Sequence, residues 1–108
     1  MDLLAVFTTV ATQEQADTLA RAVVEQRLAA CVQTEAIHSI YRWQGAIASE
    51  LEVRLMFKTA RSHYAALEAL LRERHPYELP AIFALPVVAG TAEYAAWVRG
   101  ELADEATP

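Results

Sequence analysis

A chain of 108 residues, 55% hydrophobic and 21% charged, has the length for one domain and one core, and the composition of a globular protein rather than a disordered one. Its net charge of −5 argues against a nucleic-acid binder, which would show a basic face, and against a polybasic membrane anchor. The lone cysteine, Cys31, excludes a disulfide within the chain.

The opening run Met1-Asp2-Leu3-Leu4-Ala5-Val6-Phe7 has no basic n-region and is too short for a signal peptide. No segment approaches a membrane span, so no membrane partner and a cytoplasmic location are expected. Leu3 to Thr9 is apolar on both faces and reads as a buried strand. Thr12-Gln13-Glu14-Gln15 fits a capping box with Thr12 as N-cap. Ala16, Leu19, Ala20, Val23 and Val24 then repeat at helical spacing as far as about Arg27.

Strand character runs from Ala30 to Trp43, and Gln44-Gly45 reads as a two-residue hairpin turn, with glycine free to take φ > 0. Alternation is clean in the returning strand, Ala46 to Thr59. Leu51, Val53, Leu55 and Phe57 share one face; Glu50, Glu52, Arg54 and Lys58 share the other, with Met56 among them. Glu50 and Glu52 read as a solvated surface. Without a bulge, Glu35 falls opposite Arg54.

Arg61 to Arg74 reads as a second helix with Tyr64, Leu67, Leu70 and Leu71 inward, and His75-Pro76 ends it. A loop to Pro80 follows, then a strand from Ile82 to Val88, apolar on both faces. Pro86 interrupts it and requires a free edge or a bulge. Gly90-Thr91 turns the chain, and Thr91 caps a third helix through Tyr94, Trp97, Val98 and Leu102. The order βαββαβ plus a helix is the α+β, ferredoxin-like pattern, one domain over residues 1–103 with a frayed tail at 104–108.

Two arguments point to an oligomer. Fourteen residues of strand at about 3.3 Å each span about 46 Å. A compact chain of this length is roughly 33 Å across. The hairpin therefore overhangs, and an overhanging strand edge invites a second chain. Independently, two strands are apolar on both faces, yet helices cover only one face of such a sheet.

No G-x-S-x-G, P-loop or H-E-x-x-H motif is present, so nothing points to an enzyme. Cys31 is either a small apolar residue at the start of a buried strand or a thiolate ligand for a soft metal such as copper. His75 either caps a helix end or serves as an imidazole ligand. His38 and His63 fit no motif and read as solvent-exposed. Tyr41, Trp43, Tyr77 and Trp97 are core or interface anchors, or line a cleft between subunits, with Lys58 and Glu78 the charged residues beside them.

The segments LARAVVEQRLAACV (19–32), SIYRWQG (39–45), ELEVRLMFKT (50–59), HPYELPAIFALPV (75–87) and YAAWV (94–98) resemble the CutA family of divalent-cation tolerance proteins, in order and spacing. The resemblance covers nearly the whole chain. It implies a ferredoxin-like homotrimer joined through its strands that binds copper or another divalent cation without catalysis. Cys31 matches the family's A-A-C-V position and His75 its H-P-Y motif. Two positions depart: Glu35-Ala36 stands where members often have Pro-Gly, and Val10-Ala11 where a proline often precedes the first helix. The alternative is a trimeric signalling module of the PII type holding a small anionic ligand in inter-subunit clefts. A small enzyme built on His75, Tyr77, Glu78 and Lys58 is a third reading.

Overall fold

The computed structural model describes residues 1–104, so the expected tail lies, beyond Asp104, outside the described residues. The chain runs β1 (Leu3–Val10), α1 (Gln13–Glu25), β2 (Cys31–Trp43), β3 (Ala46–Ala60), α2 (Arg61–Arg74), β4 (Ile82–Pro86), α3 (Ala92–Glu101). The four strands form one antiparallel sheet in the order β2-β3-β1-β4. This is the α+β, ferredoxin-like architecture expected from the sequence, with α3 in addition.

Strand alternation sets the layers. Val6, Val10, Leu55 and Phe57 point to one side, where Leu19 and Val23 of α1 and Leu67 and Leu71 of α2 bury them. α3 packs on the opposite side at one end of the sheet, through Ala95 and Val98 against Leu3 and Ala60. The rest of that second face carries no helix. Phe7 and Phe83 stack there at 5.3 Å, and Phe83 and Leu85 remain exposed. Beyond the reach of α3, strands β1 and β4, apolar on both faces, are thus covered on one side only.

Local chemistry fixes the element ends. Thr12 Oγ1 accepts from the Gln15 amide at 3.1 Å, while Gln15 Oε1 accepts from Ala11 rather than from the cap itself. α1 stops at Glu25, short of the expected Arg27, because Arg27 takes φ 58. The Leu28 amide bonds back to Val23 O at 3.1 Å, closing the helix end. The Arg27 guanidinium then donates to Glu101 O and Gly100 O at 2.9 and 3.2 Å, tying α1 to α3. Val24 lies outside the α1 stripe and is exposed. Pro86 sits at the end of an edge strand, as its missing N–H requires, and β4 stops there rather than at Val88.

His63 is buried, contrary to its expected exposure, because the chain leaving α3 crosses it: Nε2 bonds Ala103 O at 2.6 Å and Nδ1 bonds the Ser62 hydroxyl at 2.8 Å. The Ala103 amide donates to Arg27 O at 2.8 Å, which ties the residues after α3 to the end of α1.

The β2–β3 hairpin is regular. Its register is unbroken from Cys31↔Lys58 to Trp43↔Ala46, with no bulge at Glu35-Ala36. Glu35 pairs with Arg54, whose Nε donates at 2.9 Å. Gln44 and Gly45 take φ 50 and φ 80, the two left-handed residues of a type I′ turn. β1 accompanies β3 only as far as Val10↔Val53. The seven pairs from Ile37↔Glu52 outward therefore project as a two-stranded arm, about 23 Å long at ~3.3 Å per residue. The molecule measures 44 × 30 × 23 Å. A ribbon of two strands is marginal in water, and this one exposes Ile40 and Ile47 at 71% and Leu51 at 79% on its helix-side face.

Candidate functional site

The chain between α2 and β4 builds the site by passing the end of the sheet. β4 pairs with β1 only up to Thr8↔Ile82, leaving the edge of β1 open at Thr9 and Val10. His75 lies on the helix side, with Nε2 2.9 Å from the buried Thr8 hydroxyl. The Tyr77 amide donates to His75 Nδ1 at 3.1 Å, so Nδ1 accepts and the neutral ring carries its proton on Nε2. Both ring nitrogens are engaged. Burial holds the imidazole below its ordinary value, with the Glu52 charge opposing.

Tyr77 crosses to the open face of the sheet. Its ring lies 5.0 Å from His75, and its hydroxyl donates to Glu52 Oε2 at 2.7 Å. Glu52 is only 7% exposed, not solvated as strand alternation suggests, because this loop covers it. Burial and the Glu52 bond together push the Tyr77 phenol well up.

Between this loop and the arm lies a cavity of about 670 Å³. Tyr41, Trp43, Glu50 and Glu52 line it from the arm, and Tyr77 and Glu78 from the loop. Desolvation and Glu50 also raise the Tyr41 phenol. Among the described residues, no lysine, arginine or histidine lines the cavity.

Four of the six cleft residues expected from sequence meet here: Tyr41, Trp43, Tyr77 and Glu78. Lys58 and Trp97 do not. Lys58 Nζ lies 5.5 Å from the Tyr94 ring, and Tyr94 packs on Trp97 at 5.9 Å, on α3 at the far end of the open face. The grouping of His75, Tyr77, Glu78 and Lys58 is therefore not formed within one chain. Glu50 and Glu52 are the members missed by the sequence reading. Their signal was present, since the Gln44-Gly45 turn places Ser39 opposite Glu50 and Tyr41 opposite Ala48, one face for all.

Cys31 begins edge strand β2, half-buried, in register with Lys58 on the open face. His75 bonds Thr8, which points to the helix side. The sheet separates the two within a chain. Among the described residues, no group of three or more His, Cys, Asp or Glu is arranged to hold a metal ion. The described residues of one chain therefore do not by themselves bring three such ligands together.

A family profile described as "CutA1 divalent ion tolerance protein" matches residues 4–101. "Divalent-cation tolerance protein CutA" of Thermus thermophilus is 43% identical over 95 residues, covering 87% of this chain and 92% of that one. Human "Protein CutA" is 47% identical over 96 residues, 88% of this chain but 54% of its own length, so the chain spans about half of that relative. The structure of CutA from Synechococcus elongatus superposes with a TM-score of 0.92 at 45% identity, covering 94% of this chain and 91% of that one.

Proposed function

The chain belongs to the CutA1 divalent ion tolerance family, and from that premise we propose that it serves divalent-cation tolerance as a cytoplasmic homotrimer joined through its strands, binding metal ions weakly and catalysing nothing. The observation that carries this reading is the arm. Seven strand pairs extend beyond the sheet with Ile40, Ile47 and Leu51 in water, and the sheet's second face holds Phe83 and Leu85 exposed. Both edge strands, β2 and β4, offer unpaired backbone to another copy. Symmetric closure of such surfaces is the ordinary outcome for a soluble chain.

Cys31 supplies the thiolate for copper or another soft divalent cation, and the ligand set is completed between copies. His75 joins that set only by giving up its bond to Thr8 or to the Tyr77 amide. The separation of Lys58 from His75, Tyr77 and Glu78 supports a non-catalytic role. The carboxylate walls of the cleft within one chain lend no support to the alternative, a PII-type signalling module that takes a small anion in inter-subunit clefts.

Sedimentation equilibrium at micromolar protein tests the assembly: three times the 11.9 kDa chain mass is expected, and a folded particle of single-chain mass refutes it. Copper titration of the wild type, Cys31→Ala and His75→Ala tests the ligands. Equal binding by all three proteins removes the site assignment.

A further inference from the structure

The cleft beside the arm has a chemistry that metal tolerance does not use. Its walls combine three aromatic rings, Tyr41, Trp43 and Tyr77, with three carboxylates, Glu50, Glu52 and Glu78. Among the described residues, no cationic side chain of the same chain lines it to neutralise them. Glu52 is the most constrained. Its Oε2 takes the Tyr77 hydroxyl, while Oε1 has no hydrogen bond among the described residues. Among the described residues no fully buried side-chain oxygen lacks a partner, so Oε1 keeps some contact with solvent, and Glu52 lines the cavity. A carboxylate buried on most sides and open on one is suited to a cation approaching from that side.

A small metal ion is a poor fit. Among the described residues, these carboxylates are not grouped closely enough for any three to hold one ion. The negative charge is spread along a wall faced with rings. Aromatic faces attract cations through their quadrupole and offer contact area to an apolar body. Burial first, and the neighbouring carboxylates after it, raise the Tyr77 and Tyr41 phenols, which stay protonated as donors.

We propose that the cleft between the arm and the 76–81 loop binds a protonated organic amine with an apolar or aromatic body, its ammonium on Glu52 and Glu50 and its body against Trp43, Tyr41 and Tyr77. The site lies apart from Cys31 and does not depend on the metal reading. Its volume of about 670 Å³ accommodates a molecule of drug-like size rather than a lone ion.

The test is calorimetric titration in amine-free phosphate buffer with phenethylammonium, its anionic counterpart phenylacetate, and tetraethylammonium. The expected result is saturable binding of both cations in the micromolar to millimolar range and none of phenylacetate. Glu52→Gln should weaken phenethylammonium about tenfold, and Trp43→Ala several-fold. Glu50→Gln, at an exposed position, repeats the charge test without disturbing the Tyr77 bond, so a folding defect in Glu52→Gln does not decide the outcome. Circular dichroism and sedimentation confirm that each variant keeps its fold and assembly. Equal binding of cation and anion, unchanged affinity in both Glu50→Gln and Trp43→Ala, or no saturable heat up to ten-millimolar amine overturns the proposal. The last result would mean that a neighbouring copy fills the cleft.

Discussion

Leu51→Ala separates an arm that stands in water from one that is clasped between copies. Leu51 and Leu55 occupy the same face of β3, four residues apart, yet one chain leaves Leu51 79% exposed and Leu55 0%. If the arm stood free, truncating Leu51 would remove no packed contact and change stability by less than about 0.5 kcal/mol. If a neighbour covers it, the loss is that of a buried leucine, about 2 kcal/mol per copy. Over three copies that is about 6 kcal/mol, or about four decades in the trimer dissociation constant at ~1.4 kcal/mol per decade. Sedimentation equilibrium from nanomolar to micromolar protein reads this directly, with dissociation of the variant expected at concentrations where the wild type holds together. Leu55→Ala is the control: it should cost about 2–5 kcal/mol in the folding of each chain whatever the assembly. If Leu51→Ala assembles with unchanged concentration dependence and an unchanged urea midpoint, this part of the arm is not an interface, and the reasoning from its exposure fails.

Tyr77→Phe removes the hydroxyl held by Glu52 at 2.7 Å; urea unfolding at fixed protein concentration should show a loss of about 1.5–3 kcal/mol, the range for a bond to a charged acceptor. At Gly45, with φ 80 and nothing within 4 Å of an added Cβ, Gly45→Val should cost about 1–2 kcal/mol through backbone strain alone, read as a lower urea midpoint with an unchanged slope. Arg27→Ala loses two bonds to the end of α3 and should cost about 2 kcal/mol, with faster amide exchange through 99–103 as its local signature. Burial lowers the His75 pKa, so the unfolded chain takes up that proton first. The resulting stability is complete above about pH 6.5 and is lost as pH falls through the lowered value. A fall in midpoint between pH 7.5 and 5.5 that is smaller in His75→Gln would confirm it; identical pH profiles would refute it.

The hairpin was the most legible part of the sequence. A type I′ turn with glycine at its second position admits one register, and strict alternation in Ala46–Ala60 admits one assignment of faces. Those two constraints sufficed to put Glu35 opposite Arg54 and to give the arm its excess length. Burial at Glu52 and His63 was not legible for one shared reason. Each is covered by a segment distant in sequence, the Tyr77 loop and the residues after α3 at Ala103, and local periodicity holds no record of such crossings. The same limit hid how far Lys58 stands, within one chain, from Tyr41, Trp43, Tyr77 and Glu78. Its row on the sheet is fixed by alternation, but α3, which brings Tyr94 over it, packs by tertiary contact alone.

The two faces of the arm set different terms for whatever meets them. The helix-side face presents Ile40, Ile47 and Leu51, aliphatic and without charge of its own apart from Arg42 and His38. Burying such a face against protein is favourable in proportion to the apolar area removed from water. The open-side face presents Tyr41, Trp43, Glu50 and Glu52 to a cavity. Covering those carboxylates with apolar protein would strip their hydration without return, whereas a cation entering the cleft restores it. Since strand geometry sends alternate residues to opposite sides, a single ribbon carries both surfaces without either obstructing the other. Assembly and ligand capture are therefore separable by mutation along the same strand. Leu51→Ala should impair the first and spare amine binding per folded chain, and Trp43→Ala should do the reverse. Loss of both functions in either variant would place the cleft inside the interface itself.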